Sequence, residues 1–311
     1  MSEPVDRDEL VELMRAVQLH DGMSAPMTRS TLDEMFTWKH FDPALDLTVL
    51  RDCGRPVGWS HLLYWPSGVL RERVRVVGGV LPEYRRRGHG AQLLAWAENR
   101  ARERLSSVAP DLEQWLIVDA LEWQHDRRRL QRRHGFDEAR WFIDMKRRLE
   151  HTPDPSAPDG IEISPWRDEH TAAVRDVNAA AFADHWGSSP MGAADWAEMI
   201  GEASVRLDLS FVAHDGDRLV GYSLNEVFPD ADPDGECIAW VGSLGTLRDY
   251  RRRGIAGSLL QHSHRRFSEF GFSHAMLDVD ADSPSGAGAI YERHGYEPLH
   301  RTVVSVKVLN P

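Results

Sequence analysis

The stretch YRRRGIAGSLL, residues 250–260, repeats YRRRGHGAQLL, residues 84–94, at a distance of 166 positions. That distance is close to one domain length, so an internal duplication is the first expectation for a chain of 311 residues. In each copy an extended apolar run, RVRVVGGVL or CIAWVGSLGTL, leads into the turn. A run with apolar residues at helical spacing, GAQLLAWAENRAR or GSLLQHSHRRF, leads out of it. The repeated motif therefore joins a strand to a helix.

Working outward, the two halves keep the same order. Each opens with a helix: DELVELMRAVQLH places Leu10, Leu13, Met14 and Val17 on one face, and DEHTAAVRDVNAAAF is its counterpart. Hairpins follow, LTVLRDCGRPVGWSHLL and LSFVAHDGDRLVGYSLNEV, in which RPVGW matches RLVGY. Beyond the repeated turn and its helix come a strand (EQWLIVDAL or HAMLDVDA), a short helix, and a last extended segment (ARWFIDMKRRL or RTVVSVKVL). Both short helices end in RHG plus an aromatic residue, at 133–136 and 293–296. Between the halves, EHTPDPSAPDG holds three prolines and no apolar period, which predicts an exposed linker at 151–159 separating domains at 1–150 and 160–311.

Composition narrows the function. No apolar run approaches the 18 residues of a membrane span, and the acidic start MSEPVDRDEL has no apolar core of a secretory signal, so a cytoplasmic protein is expected. Cys53 and Cys237 are too few for a disulfide framework or a cysteine zinc site. Residues 1–159 hold 26 acids and 24 Lys/Arg, a balance of −2, whereas 160–311 hold 23 acids and 13 Lys/Arg, a balance of −10. An acidic surface argues against nucleic acid and favours a cationic small molecule, although solubility alone accounts for it.

A glycine turn feeding a helix presents unpaired N–H groups and the positive end of the helix dipole to one point, which suits a phosphate or pyrophosphate. Gly254 and Ala256, like Gly88 and Gly90, keep side chains away from that point, and Arg251 and Arg252, like Arg85 and Arg86, add positive charge. By itself the motif is weak. Strand, turn, helix, strand, short helix and final aromatic, found twice in one order, closely resemble the GCN5-related N-acetyltransferase superfamily over nearly the whole chain.

The resemblance implies an α/β (α+β) fold of two domains, each a mixed, largely antiparallel twisted sheet with helices around it and fourth and fifth strands splayed to admit the pantetheine arm of acetyl-CoA. The co-substrate's pyrophosphate is then expected on Arg251, Arg252, Arg253 and Gly254 and on the helix start Ile255, Ala256 and Gly257. The first copy, Arg85, Arg86, Gly88 and Gly90, is a second possible seat. A bulge that frees a backbone amide for the thioester is expected around Ser243 to Thr246, where Gly242 and Gly245 weaken pairing, with Leu244, Gly245 and Thr246 as the co-substrate contacts. Ser283 is the nearest match to a family pantetheine ligand.

Acyl transfer to an amine needs a base for the ammonium proton and gains from an acid for the thiolate. The resemblance assigns the acid to Tyr291 in AIYERHGY. The first half has Gln131 there, which has no titratable proton, so the first domain is expected to be noncatalytic. For the base Glu226 and Glu236 are both candidates, with exposed strand-end carboxylates as the plain alternative, and no carboxylate interrupts CIAWVGSL. Asp184, His185 and Trp186 in AFADHWGSSP offer charge, a hydrogen bond and a cation–π face to an amine; a loop held by an Asx turn is the equal alternative.

No metal is expected. DADPDGECIAWV matches the start of a calcium loop at Asp230, Asp232, Asp234 and Gly235, but Val241 stands at its twelfth position. DVDAD puts Asp278, Asp280 and Asp282 on one strand face, and His262 and His264 lie two apart on a helix, pointing to different faces. The reading is an acetyltransferase acting on a primary amine of a small molecule. Its alternatives are an enzyme modifying an aminoglycoside-like antibiotic and a noncatalytic acyl-CoA sensor.

Overall fold

The structure is a computed structural model. It describes residues 6–23, 26–66, 71–108, 111–150, 152–188, 190–228, 237–283 and 286–310.

In the first half, α1 (Arg7–Asp21) and α2 (Arg29–Met35) precede β1 (Leu47–Asp52), β2 (Arg55–Tyr64) and β3 (Arg71–Val80). Then come α3 (His89–Val108), β4 (Glu113–Leu121), α4 (His125–Arg133) and β5 (Asp137–Arg148). The second half has β6 (Glu162–Pro165), α5 (Thr171–Ala181), α6 (Ala193–Ile200), β7 (Phe211–Asp215), β8 (Arg218–Glu226) and β9 (Ile238–Thr246). It ends with α7 (Ile255–Glu269), β10 (His274–Asp280), α8 (Ala287–Arg293) and β11 (Glu297–Val308). Contrary to the expectation that each half opens with a helix, the second opens with β6, a four-residue edge strand ending in Pro165 and too short to show an alternating pattern.

The duplicated halves are not the compact units. One unit runs up to Arg140 and takes back the residues from Thr302 onward; the other is Trp141–Arg301. These compact units differ from the sequence halves expected at 1–150 and 160–311. Each half gives its last strand to the other half's sheet. In the first unit the order is β1-β2-β3-β4-β11, antiparallel except for β3 beside β4. In the second it is β5-β10-β9-β8-β7-β6, antiparallel except for β9 beside β10.

Packing explains why the exchanged strands stay. On α3, Leu94, Ala97, Ala101 and Leu105 recur at helical spacing and meet Leu62, Val74, Val76, Leu116 and Val118 of the sheet, with Leu309 at the end of the chain closing the cluster. In the second unit Met145 and Leu149 of the first half join Leu260, Phe267, Leu277 and Tyr296. Each exchanged strand also brings one cation to the end of a short helix. Lys307 Nζ donates to His134 O at 2.8 Å and Arg147 Nη1 to His294 O at 2.7 Å. These two carbonyls belong to the repeated RHG, where a helix leaves acceptors unpaired. Arg147 also donates to His264 Nδ1 at 3.0 Å, which leaves the Nε2 proton for Tyr296 Oη at 2.8 Å. Burial, with Arg147 second, holds His264 well below its usual pKa.

Among the described residues no helix is long and apolar enough to cross a membrane. Val303, Val304, Val306 and Leu309 are buried, a contribution of roughly 6–12 kcal/mol that is comparable to the whole stability of a domain. Separately expressed residues 1–150 and 160–311 are therefore expected to melt without cooperativity by circular dichroism, and the mixture to regain a sharp transition. A cooperative native-like melt of 160–311 alone would refute this dependence.

Candidate active site

The second unit's site begins at a fault in the β8–β9 ladder. Leu224 pairs with Ser243, yet Asn225 pairs with Val241, so Gly242 is an extra residue and β9 bulges there. The bulge lies one residue before the stretch Ser243 to Thr246 in which it was expected, at the first of the two glycines that weaken pairing there. A Cβ on Gly242 would stand 2.6 Å from the Glu226 carboxyl carbon, so only glycine lets that carboxyl rest on the bulge. Gly245 has another cause: the Tyr222 ring lies against it. Tyr222 Oη bonds Ser243 Oγ at 2.6 Å and accepts from Asn178 Nδ2 at 2.5 Å, and burial pushes its pKa up to about 12.

Next to the bulge the sheet opens. β10 follows β9 in parallel only from His274↔Ile238 to Met276↔Trp240, while its pairing with β5 continues to Asp280. β9 and β10 part beyond Trp240. A cavity of about 880 Å³ is lined by Leu244–Thr246, the following turn, the start of α7, and Ala287, Ile290 and Tyr291 of α8.

The turn has the backbone of an anion cradle. Arg252 and Gly254 are left-handed at φ 64° and 84°, the second natural for glycine and the first not. No side chain caps α7. The N–H groups of Ile255, Ala256 and Gly257 precede the first helical bond, from Ser258 N to Gly254 O at 3.0 Å.

The arginines differ. Arg251 donates to Ala181 O at 2.7 Å and to both Asp184 oxygens at 3.0 and 3.1 Å, and Arg248 reaches Asp184 at 2.7 Å. Asp184, expected to meet an amine, is thus neutralised from within, and Arg251 first, then Arg248, hold it far below the usual carboxylate range. Arg251 is a strut between the end of β9 and the end of α5. Arg85 does the same in the first unit, donating to Val80 O at 2.9 Å and Asp21 at 2.8 Å. Arg251, Arg252 and Arg253 all line the cavity, as does Asp184, and Arg253 lies 4.7 Å over the Tyr250 ring.

Tyr291 reaches the cavity from α8 and is otherwise buried. Burial, then the negative charge of Asp278, raises its pKa and keeps the phenol protonated. Glu226 is not in the cavity lining; it sits at the bulge. Burial, then Asp278, pushes its pKa up to about 7. Asp278 on β10 thus acts on both groups. Sequence reading noted its strand face but not this coupling.

Ser283 lines the cavity, and so does His185, whose ring packs on Phe182; Trp186 does not line it. Glu236 and the aspartates at 230, 232 and 234 lie outside the described residues. The expected linker is no free spacer: residues 156–158 line the same cavity. His262 and His264 diverge as expected, the first bonding Ser258 O and the second Tyr296.

The first unit keeps the turn without the opening. β2 and β3 pair without interruption from Gly58↔Val80 to Tyr64↔Val74, so no bulge forms. β4 follows β3 to Val76↔Val118, and just beyond, Arg127 bridges the strands, donating to Gly78 O at 3.0 Å and Asp119 O at 2.8 Å. Gln131, the counterpart of Tyr291, donates to the same Asp119 O at 3.0 Å. Arg86 pairs with Asp126 at 2.8 Å, Gly88 is left-handed at φ 89°, and the Leu130 side chain would press on a Cβ at Gly90. In register with RHG, Arg127 matches Ala287, a signal readable in the sequence once the halves are aligned.

Twice in this chain a strand runs beside a parallel neighbour, leaves it, and turns into a helix. The chain matches the acetyltransferase (GNAT) family over residues 11–136 and again over 171–296, and it belongs to that family. It is an acyltransferase of tandem GNAT units, in a family that uses acetyl-CoA. It is similar to the mycothiol acetyltransferase of Geodermatophilus obscurus, 30% identical over 266 residues covering 78% of this chain and 80% of the relative. That of a Nocardioides species is 34% identical over 266 residues, covering 76% and 85%. A GCN5-related N-acetyltransferase from Sphaerobacter thermophilus superposes with a TM-score of 0.79 at 25% identity, covering 99% of this chain and 95% of the other. A tandem GNAT protein from the clavulanic acid biosynthesis pathway shares the fold at a TM-score of 0.72, 19% identity and coverage of 98% and 95%.

Asp184, with a depressed folded-state pKa, contributes stability above its unfolded value of about 3.9 and loses it as the pH falls through the folded value. Asp184→Asn is expected to lower Tm at pH 7 by about 2–4 °C, for a partly exposed pair worth about 1 kcal/mol. The gap to the wild type should narrow below about pH 4. A gap that does not change between pH 7 and 2 would remove the Arg251–Asp184 pair as its cause.

Proposed function

We propose that the second unit transfers an acetyl group from acetyl-CoA to a primary amine of a small molecule, and that the first unit is a noncatalytic scaffold. The observation that carries this is the contrast between the open β9–β10 gap with its bulge and the β3–β4 gap bridged by Arg127. The name of the relatives puts an amine of the mycothiol type first among acceptors to test. The acidic balance of residues 160–311 suits a cationic acceptor.

The bound thioester supplies an activated acetyl carbon and a thiolate leaving group. The uncapped start of α7 and the turn at 252–254 hold the pyrophosphate by N–H groups and positive charge. The opened edge of β9 after Gly242 leaves backbone amides facing the gap for the carbonyl oxygen. Glu226, near neutrality in pKa, takes the proton of the attacking ammonium through water. Tyr291, held protonated, gives its proton to the departing thiolate. Arg251 and Asp184, which also line the cavity, are paired with each other and brace the turn against the loop after α5.

Because the base must be ionised, kcat/KM for an accepted amine is expected to rise with pH through about 7. Glu226→Gln should lose that limb, while Tyr291→Phe should keep it and lower kcat about tenfold. An unchanged pH limb in Glu226→Gln would exclude Glu226 as the base.

Calorimetry with acetyl-CoA is expected to give one site per chain, lost in Gly254→Asp, whose carboxylate would face the pyrophosphate. A site that persists in that variant would place coenzyme binding in the first unit.

A further inference from the structure

The segment before β6 was expected to be an exposed spacer, yet it runs along α7 within its own unit. Arg265 of α7 stands 3.7 Å from Asp154, Ser258 Oγ donates to Ser156 O at 2.6 Å, and Ser156 N donates to Gln261 Oε1 at 3.4 Å. Its next residues lead to the turn, where a Cβ on Gly254 would stand 3.5 Å from the Pro158 ring. The segment thus descends α7 toward the end expected to hold phosphate. Prolines at 153, 155 and 158 fix φ and keep it extended, so its course costs little further entropy on binding.

Ser156, Ala157 and Pro158 line the cavity together with Gln261, Arg253 and Arg293. Tyr291 and the bulge mark the end of the site where the acetyl group reacts, so the part of the ligand beyond the pyrophosphate lies on the other side of the turn. In the first unit the corresponding glycine, Gly88, has nothing within 4 Å of its Cβ position among the described residues.

We infer that residues 156–158, between the duplicated halves, form one wall of the pocket for the phosphoadenosine end of coenzyme A. The inference rests on the coenzyme reading above. The wall comes from the stretch that joins the two halves, so the nucleotide pocket draws on sequence outside the repeated motif.

Ala157 is exposed and makes no hydrogen bond that a substitution would break among the described residues. A charge placed there tests the wall with opposite signs. Calorimetry with coenzyme A at low salt is expected to show affinity about fivefold weaker in Ala157→Glu and stronger by a similar factor in Ala157→Lys. The effect of either should shrink with 3′-dephospho-coenzyme A, which carries less charge at that end. Affinities equal to wild type in both variants, or the same loss in both, would overturn the wall. A wild-type protein that binds no coenzyme A would overturn the coenzyme reading itself, so the two failures are distinguished.

Discussion

The cation that an exchanged strand delivers to a short helix is the constraint on which both units depend. Arg147 reaches His294 O at the end of α8 and Lys307 reaches His134 O at the end of α4. A helix end is a set of carbonyls without partners, and a charged donor there is worth more than a neutral one. In the second unit the helix so fixed is the one that carries Tyr291. The proposed acid is therefore oriented by a residue from the first half of the sequence, and the duplication could not be split without disturbing it.

The repeat made much of this legible. Alternating hairpins, the strand running into the turn and the helix running out of it all follow from local patterning, and Gly242 marked the bulge. Strand exchange was not legible, because ARWFIDMKRRL and RTVVSVKVL share one extended pattern and neither states which sheet edge it joins. The roles of the three arginines were hidden for a similar reason. The turn shows where an anion can sit, but Arg251 is engaged by Asp184, 67 positions away in sequence. The prolines predicted an exposed linker and said nothing of the helix it lies on.

Duplication also left two copies under different demands. Arg127 closes the β3–β4 gap by satisfying two strand carbonyls, and burial lowers its pKa against the opposing pull of Asp119 and Asp21. A cation in such a place is tolerated because every bond it makes replaces water that a filled gap would exclude. Ala287 at the matching position of α8 supplies no such plug, and the cavity lies there. The exchange of Arg127 for Ala287 thus joins the Gly242 bulge in separating a packed sheet from an open cavity on the same scaffold.

One kind of environment suits Glu226 at the bulge and Tyr291 in the cavity wall to the opposite tasks proposed for them. Low polarity and the charge of Asp278 disfavour the ionised form of both Glu226 and Tyr291. The same push has unequal consequences because the groups start from different values. A carboxyl moved to about 7 changes charge near neutral pH and can accept a proton, whereas a phenol moved upward from about 10 stays protonated and can only donate. No second charged partner is needed to separate the proposed base from the proposed acid. Burial beside one aspartate suffices, and the bulge at Gly242 is what lets the carboxyl be buried there.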